Sequence, residues 1–242
     1  MPVFETVAAE YDAARPRHPA GVYDALGDLV GSVVLDVGAG TGIATRELLR
    51  RGAWVVAIEP GSVVLGRAAA HTPGLRALEA DGAHLPVRDG IVDLLCFAQA
   101  WHWLDPGRRT AEAHRVLRDG GRWAGWWSHA RADDSAWFDE YWTILEQTCP
   151  GTHRGQRDTD WGATVAEDGL FDVGERITVP WVRELTVDGW LTDQVSHSYV
   201  AALPSDERDR LIQRLRALLE RHHPDHHLTV PYETWLWIAT KA

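Results

Sequence analysis

Residues 38–42 read Gly-Ala-Gly-Thr-Gly, directly after the strand-like run Val33-Val34-Leu35-Asp36-Val37. Glycine at every second position costs backbone entropy, so the turn needs a reason: a tight bend, or a ligand that must touch bare backbone. Backbone N–H groups at the carboxyl edge of a sheet, beside a helix N-terminus, suit a nucleotide-like ligand. A P-loop would need Lys and Ser/Thr after the glycines, and Ile43 stands there; a dinucleotide turn wants G-x-G-x-x-G, and the spacing here is G-x-G-x-G. Glu59 closes the next apolar run, where one carboxylate can bind both hydroxyls of a ribose. A second chemical stretch is Gln99-Ala100-Trp101-His102-Trp103-Leu104-Asp105. His102 is its candidate general base, because imidazole titrates near neutrality. Trp101 and Trp103 would wall a pocket beside it, and an aromatic face favours a cation.

The elements that must position these groups alternate through the first half of the chain. Strands are expected at Ser32–Val37, Ala53–Glu59, Gly74–Ala80, Ile91–Ala100 and Arg122–Ser128. Helices are expected at Gly42–Gly52, with Ile43, Leu48 and Leu49 at helical spacing, at Ser62–His71 with Ser62 as cap, and at Pro106–Gly121. Such βαβ alternation builds a mostly parallel sheet with helices on both faces. The rhythm then breaks. Ser135–Cys149 reads as a helix, Phe171–Leu185 as one strand crossing a proline, and Thr186–Leu203 as one helix. Ser205–His223 is an amphipathic helix capped by Ser205, and Leu228–Lys241 is a final alternating strand.

Composition narrows the partners. The 242 residues carry a formal net charge of −11, with a pI near 5.5, which argues against a nucleic-acid partner because phosphate binding needs a basic footprint. Two cysteines make neither a disulfide framework nor a cysteine-rich zinc site. The amino end has no apolar segment of a secretory signal, and no run is long enough to span a bilayer, so a cytoplasmic protein without a membrane partner is expected. His222–His227 reads His-His-Pro-Asp-His-His, but Pro224 breaks any helix that would align the pairs, and no metal is expected. Thirteen tryptophans fill a core or line an aromatic pocket.

Taken together, Leu35–Gly42 with Ala57–Pro60 resembles the first two motifs of class I S-adenosylmethionine-dependent methyltransferases. The stretch Ala80–Asp105, and Arg115–Trp127 with Asp119 in place of the family's proline, are similar to that family's later motifs in the same order. Tyr11–Pro19 and Ser196–Leu211 look like the trans-aconitate-methyltransferase-like, small-molecule branch. The resemblance implies a Rossmann-like, doubly wound α/β fold. Its seven strands would be mostly parallel with the last antiparallel, joined by an amino-terminal lid and a helical cap after strand five. One domain, 1–242, would comprise a lid (1–30), a cofactor-binding core (31–130), a cap and substrate region (131–205) and a last helix and strand (206–242).

The resemblance also implies roles. Gly38, Ala39 and Gly40 would pass beneath the methionine part of S-adenosyl-L-methionine, with Asp36 bracing the loop. Glu59 would take the ribose hydroxyls and Pro60 would pack on the adenine. Asp81 would accept from the adenine amino group, with the Gly82 and Ala83 backbone beside the ring. Ala98 would offer its carbonyl to the ammonium, and Tyr11 and Arg15 would close over the carboxylate. On the acceptor side stand Arg17, Trp101, Trp103, His197 and Tyr199. The expected reaction is methyl transfer to an oxygen, hydroxyl or carboxylate, of a small-molecule acceptor, with S-adenosyl-L-homocysteine as product, in a monomer or homodimer. The alternatives are a C-methyltransferase on a small metabolite, a non-catalytic cofactor-binding partner subunit and an NAD-type oxidoreductase. The chain lacks the N-P-P-[YF] of nucleic-acid and glutamine N-methyltransferases, which disfavours amine acceptors of that kind.

Overall fold

The computed structural model describes residues 17–242, so Tyr11 and Arg15 lie outside the described residues, as does most of the expected lid. Among the described residues the elements run α1 (Ala20–Ala25), β1 (Val33–Val37), α2 (Ile43–Arg50), β2 (Trp54–Ile58), α3 (Ser62–His71), β3 (Arg76–Leu78), β4 (Val92–Ala98), α4 (Arg109–Val116), β5 (Leu117–Ala130), α5 (Ala136–Thr148), α6 (Trp161–Ala166), β6 (Phe171–Val173), β7 (Ile177–Thr186), α7 (Val187–Val195), α8 (Ser198–Ala201), α9 (Ser205–His222) and β8 (His227–Lys241).

The strands form one sheet in the order β3-β2-β1-β4-β5-β8-β6, with β7 also paired to β8. Strands β3, β2, β1, β4 and β5 are parallel neighbours, and β6 pairs antiparallel with β8. This is the doubly wound fold expected. The order reverses between β1 and β4, and in such sheets ligands sit at the carboxyl ends of the strands at that reversal. The glycine turn follows β1 and the His102 turn follows β4, so topology alone brings the two chemical stretches to one edge.

Alternation of side chains fixes the sheet between two apolar layers. Leu35, Leu95, Trp127 and Trp237 belong to one buried cluster, while their neighbours Val34, Leu94, Trp126 and Leu236 belong to another. Successive strand residues point to opposite faces, so both faces are covered, as near-continuous apolar strands require.

The chain packs as two compact units. One comprises Arg17–Ser128, Asp160–Val179 and Thr234–Ala242 and holds both sheet-face clusters. The other comprises His129–Thr159 and Pro180–Glu233 among the described residues. Its core joins Trp137, Phe138, Tyr141 and Leu145 of α5, Trp190 and Leu191 of α7, and Leu211, Leu215, Leu218 and Leu219 of α9. The leucine stripe of α9 is buried against α5 and α7, and Leu228, Val230 and Tyr232 of β8 join the same cluster.

Other differences are local. The expected strand at 171–185 is two strands, and Pro180 lies in β7, whose one strand neighbour among the described residues is β8; a residue without an N–H is tolerated where a strand has one neighbour. The expected helix at 186–203 is broken at Ser196-His197, where α7 ends and α8 begins. The helix expected to run to Gly121 stops at Val116, and the chain enters β5 through an irregular register between Val92 and Leu94. Neither Ser62 nor Ser205 makes a capping bond; each is the first residue inside its helix.

Trp123 is fully buried against Phe97 and Trp101, with ring centroids 5.7 and 5.3 Å away. Trp123→Ala should destabilise the fold by about 3–5 kcal/mol. Urea unfolding checks this; a loss below about 1 kcal/mol would show that the cluster is not a packed core.

Candidate active site

The glycine turn is held by backbone. The Gly38 and Ala39 N–H groups donate to the Ile58 carbonyl at 2.8 and 3.0 Å, which lashes the turn to the end of β2. Gly38 has φ +71° and a Cβ there would lie 2.5 Å from the Ala100 Cβ, so only glycine fits against the loop after β4. Gly40 also has positive φ, +57°, yet a Cβ there would meet nothing within 4 Å. Among the described residues nothing therefore covers the backbone at Gly40, which leaves the cradle a ligand needs.

Glu59 ties this cradle to the next one. Its Oε2 accepts from the Gly40 N–H and its Oε1 from the Gly61 N–H, both at 3.0 Å. Each oxygen keeps a lone pair for a further donor, so bracing the loop and binding ribose hydroxyls are compatible. Burial raises the Glu59 pKa, against the two backbone bonds, which lower it. Pro60 beside it is exposed. On the connection from β3 to β4, Asp81 is exposed and its Oδ1 accepts from the Ala83 N–H at 2.9 Å. Gly82 packs on Val37 and Leu104, which brings Asp81–Ala83 to the same edge as the glycine turn.

Asp36 is fully buried on the face of β1 that also carries Val34. Its Oδ2 accepts from Thr45 Oγ1 at 2.5 Å, so it braces α2 rather than the loop backbone. Its Oδ1 has no hydrogen-bond partner among the described residues. Burial raises its pKa from 3.8 to about 6, the Thr45 bond opposing. A carboxylate held two residues before Gly38 favours a cation over the turn. Open backbone at Gly40, a bracing glutamate and an underlying carboxylate all fit a ligand with a ribose and a charged amino-acid part.

The loop after β4 is more specialised. Ala98 ends β4 opposite Trp126, and Gln99 takes φ +57°, a conformation rare outside glycine, with its N–H donating to the Trp126 carbonyl at 2.9 Å. The residues then form a short 3-10 turn, Trp101–Trp103. Trp101 is fully buried against Phe97 and Trp123, so it is a core residue and not a pocket wall, because the turn sends it inward and its two neighbours outward. Trp103 is 43% exposed.

His102 lies among Trp103, Trp127 and Trp161, with ring centroids 4.9, 6.3 and 5.6 Å away, while the residue stays open to solvent on one side. Trp127 Nε1–H donates to His102 Nδ1 at 3.2 Å. An indole N–H can only donate, so Nδ1 must supply the lone pair and the neutral ring carries its proton on Nε2. The apolar surroundings lower the His102 pKa to about 4, and the Arg109 guanidinium adds to the effect. The ring is therefore neutral at physiological pH. Its other nitrogen, Nε2, is then a proton donor, not the lone pair that a general base needs.

The remaining expected residues do not all gather here. Arg17 is exposed. His197 and Tyr199 belong to the other unit, where the Tyr199 hydroxyl and His197 Nδ1 are 2.8 Å apart. Beside them Arg183 and Asp193 form a buried ion pair at 3.0 Å. Among the described residues no group of three or more His, Cys, Asp or Glu could hold a metal ion, and no helix is long and apolar enough to cross a membrane. Sequence reasoning missed Trp127 and Trp161. The first was visible only as one of several strand tryptophans, and the second carries no local signal of its role.

A methyltransferase-domain model matches residues 35–124, the stretch that holds the glycine turn, Glu59, Asp81–Ala83 and the His102 turn. Over 242 residues the chain is 34% identical to an uncharacterized methyltransferase of Mycobacterium tuberculosis, with 99% of this chain and 96% of that protein aligned. The chain belongs to the methyltransferase family. Its fold is similar to that of a candidate type II methyltransferase from Anaeromyxobacter dehalogenans, with TM-score 0.71 and 22% identity over 94% of this chain and 97% of that one. It is also similar to a geranyl diphosphate methyltransferase solved in complex with S-adenosylmethionine, with TM-score 0.51 and 16% identity over 92% and 82% of the two chains. The protein is thus a methyltransferase of the Rossmann-like fold.

Asp36 yields a signed prediction. Its pKa is higher in the folded chain than in the unfolded one, so the folded chain binds the extra proton and stability falls as pH rises from about 4 through 6. Asp36→Asn has no such proton. Relative to the parent, the Asn variant should therefore gain thermal stability across that window when both are melted in cofactor-free buffer. Parallel profiles would refute the raised pKa.

Proposed function

We propose that this methyltransferase transfers its methyl group to an oxygen of a small-molecule acceptor, and that the acceptor oxygen is a carboxylate rather than a hydroxyl. The cofactor is S-adenosyl-L-methionine, which supplies a methyl group on a sulfonium for in-line displacement and leaves as S-adenosyl-L-homocysteine. We assign its site to the carboxyl edge at β1, β2 and the β3–β4 connection. Gly38, Ala39 and Gly40 present backbone, Glu59 takes the ribose hydroxyls, Pro60 packs on the adenine, and Asp81, Gly82 and Ala83 read its amino edge. Ala98 would offer its carbonyl, and Asp36 its charge, to the ammonium. Tyr11 and Arg15 remain proposed closing residues, with Arg17, His197 and Tyr199 on the acceptor side. The trans-aconitate-methyltransferase-like branch is the finer family reading we carry forward.

The observation that supports a carboxylate is the Trp127 bond to His102 Nδ1. A hydroxyl acceptor must lose its proton as the methyl moves, and a base near it gives roughly a hundredfold or more. A carboxylate is already ionised near neutral pH and needs no base. A neutral ring with Nε2–H outward suits the second case: it donates to the carboxylate and orients the attacking oxygen. Trp103 beside it shields the site from water. The role we assign to His102 is thus catalytic by orientation, and the expected base role is set aside.

His102→Ala separates the cases. With a carboxylate acceptor it should raise KM about tenfold or more and change kcat by only a few-fold, with S-adenosylhomocysteine affinity unchanged. Steady-state kinetics on a panel of small carboxylic acids matched with alcohols and phenols checks this. Activity confined to the alcohols and phenols, with kcat collapsing in the variant, would overturn the carboxylate reading.

A further inference from the structure

His102 is tied into a closed chain of contacts that neither the family likeness nor the cofactor site requires. Trp127 Nε1–H, from β5, donates to His102 Nδ1. The Trp127 ring stacks on Trp161 of α6, with centroids 5.0 Å apart and planes 19° apart. The Trp161 carbonyl accepts from Thr164 Oγ1 at 2.8 Å, and the same hydroxyl accepts from Trp101 Nε1–H at 3.2 Å. Trp101 returns the path to the 3-10 turn that carries His102. The turn is pinned once more from α4, where the buried Arg109 donates from Nη1 to the Trp101 carbonyl at 3.0 Å and lies over the Trp101 ring at 4.8 Å.

We propose that Trp127, Trp161 and Thr164 are positioning residues that fix His102 in one tautomer and one orientation, with Thr164 as the latch between α6 and the His102 turn. Each link has a defined direction. The two indoles can only donate, the Trp161 carbonyl can only accept, and the Thr164 hydroxyl is the one group in the ring that does both. Helix α6 has six residues, too few to be stable alone, so its place depends on tertiary contacts: this one, Gly162 packing against Trp237, and Val165 buried in the core beneath. The ring stack sets the height of Trp127, and Trp127 sets which nitrogen of His102 faces outward. The low His102 pKa, set by burial and by the Arg109 guanidinium beside it, keeps the ring neutral and so able to accept at Nδ1.

The proposal rests on the reading that His102 meets the acceptor, but its first test does not. Histidine-labelled protein with S-adenosylhomocysteine bound is observed by nitrogen NMR, comparing the parent with Trp127→Phe, Thr164→Val and Thr164→Ser. The parent should show His102 as the Nε2–H tautomer, neutral to below pH 6. Trp127→Phe should mix the tautomers and raise the pKa. Thr164→Val should shift the same resonances while Thr164→Ser restores them. S-adenosylhomocysteine affinity should stay within about twofold in all variants, and kcat/KM for an acceptor should fall about tenfold or more in the first two and recover in the Ser variant. An Nδ1–H tautomer in the parent, or resonances that do not move in either Thr164→Val or Trp127→Phe, would overturn the proposal. If the resonances move as expected but methyl transfer is indifferent to these variants and to His102→Ala alike, the clamp stands and the acceptor assignment of His102 fails.

Discussion

One carboxylate holds the cofactor edge together. Glu59 accepts from the backbone of Gly40 and of Gly61, and so fixes the turn after β1 against the turn after β2. A turn with three glycines has few side chains of its own to fix its shape, and the entropy it carries in the unfolded chain must be offset largely by contacts from outside. Here they come from the Ile58 carbonyl, which binds the first two N–H groups of the turn, and from the residue that follows it. Burial works against the charge of Glu59, so the two backbone donors are the reason a carboxylate can stand there at all.

The remainder of the site depends on that edge being rigid. Gly38 leaves room for Ala100, so the shape of the β1 turn sets how closely the β4 loop can approach. The β4 loop then places Trp101 inward and His102 outward, and the tryptophans of β5 and α6 decide how His102 is presented. The many tryptophans are divided between two tasks. Trp101, Trp123 and Trp126 fill the sheet faces, while Trp127 and Trp161 form a stacked pair beside His102.

The fold was legible because its signals are local. Apolar runs of strand length, glycines after the first strand and an acidic residue after the second are read within a few residues of each other, and they point to a mostly parallel sheet and to the edge where chemistry sits. Gly38, Gly40 and Glu59, the residues we propose for the cofactor, were singled out from the same local pattern. The surroundings of His102 were not legible, because Trp127 and Trp161 lie 25 and 59 positions further along the chain and reach the histidine only through sheet pairing and helix packing. Trp101 was misread for the same reason: the direction in which a short turn sends a side chain is set by what packs beneath it. Which core α9 joins was not legible either, because it is amphipathic whichever core it meets; its leucines are buried with α5, α7 and the first half of β8.

The central claim is that the braced glycine turn carries the cofactor, and Glu59→Gln tests it most directly. Glutamine has nearly the shape of glutamate but presents an NH2 group to one of the two backbone donors, so it must lose a bond to Gly40 or Gly61 and one acceptor for the ribose. Calorimetric titration with S-adenosylhomocysteine should show affinity reduced by tenfold or more, about 1.4 kcal/mol or greater, in a variant whose unfolding remains cooperative. Unchanged affinity in that folded variant would contradict the account.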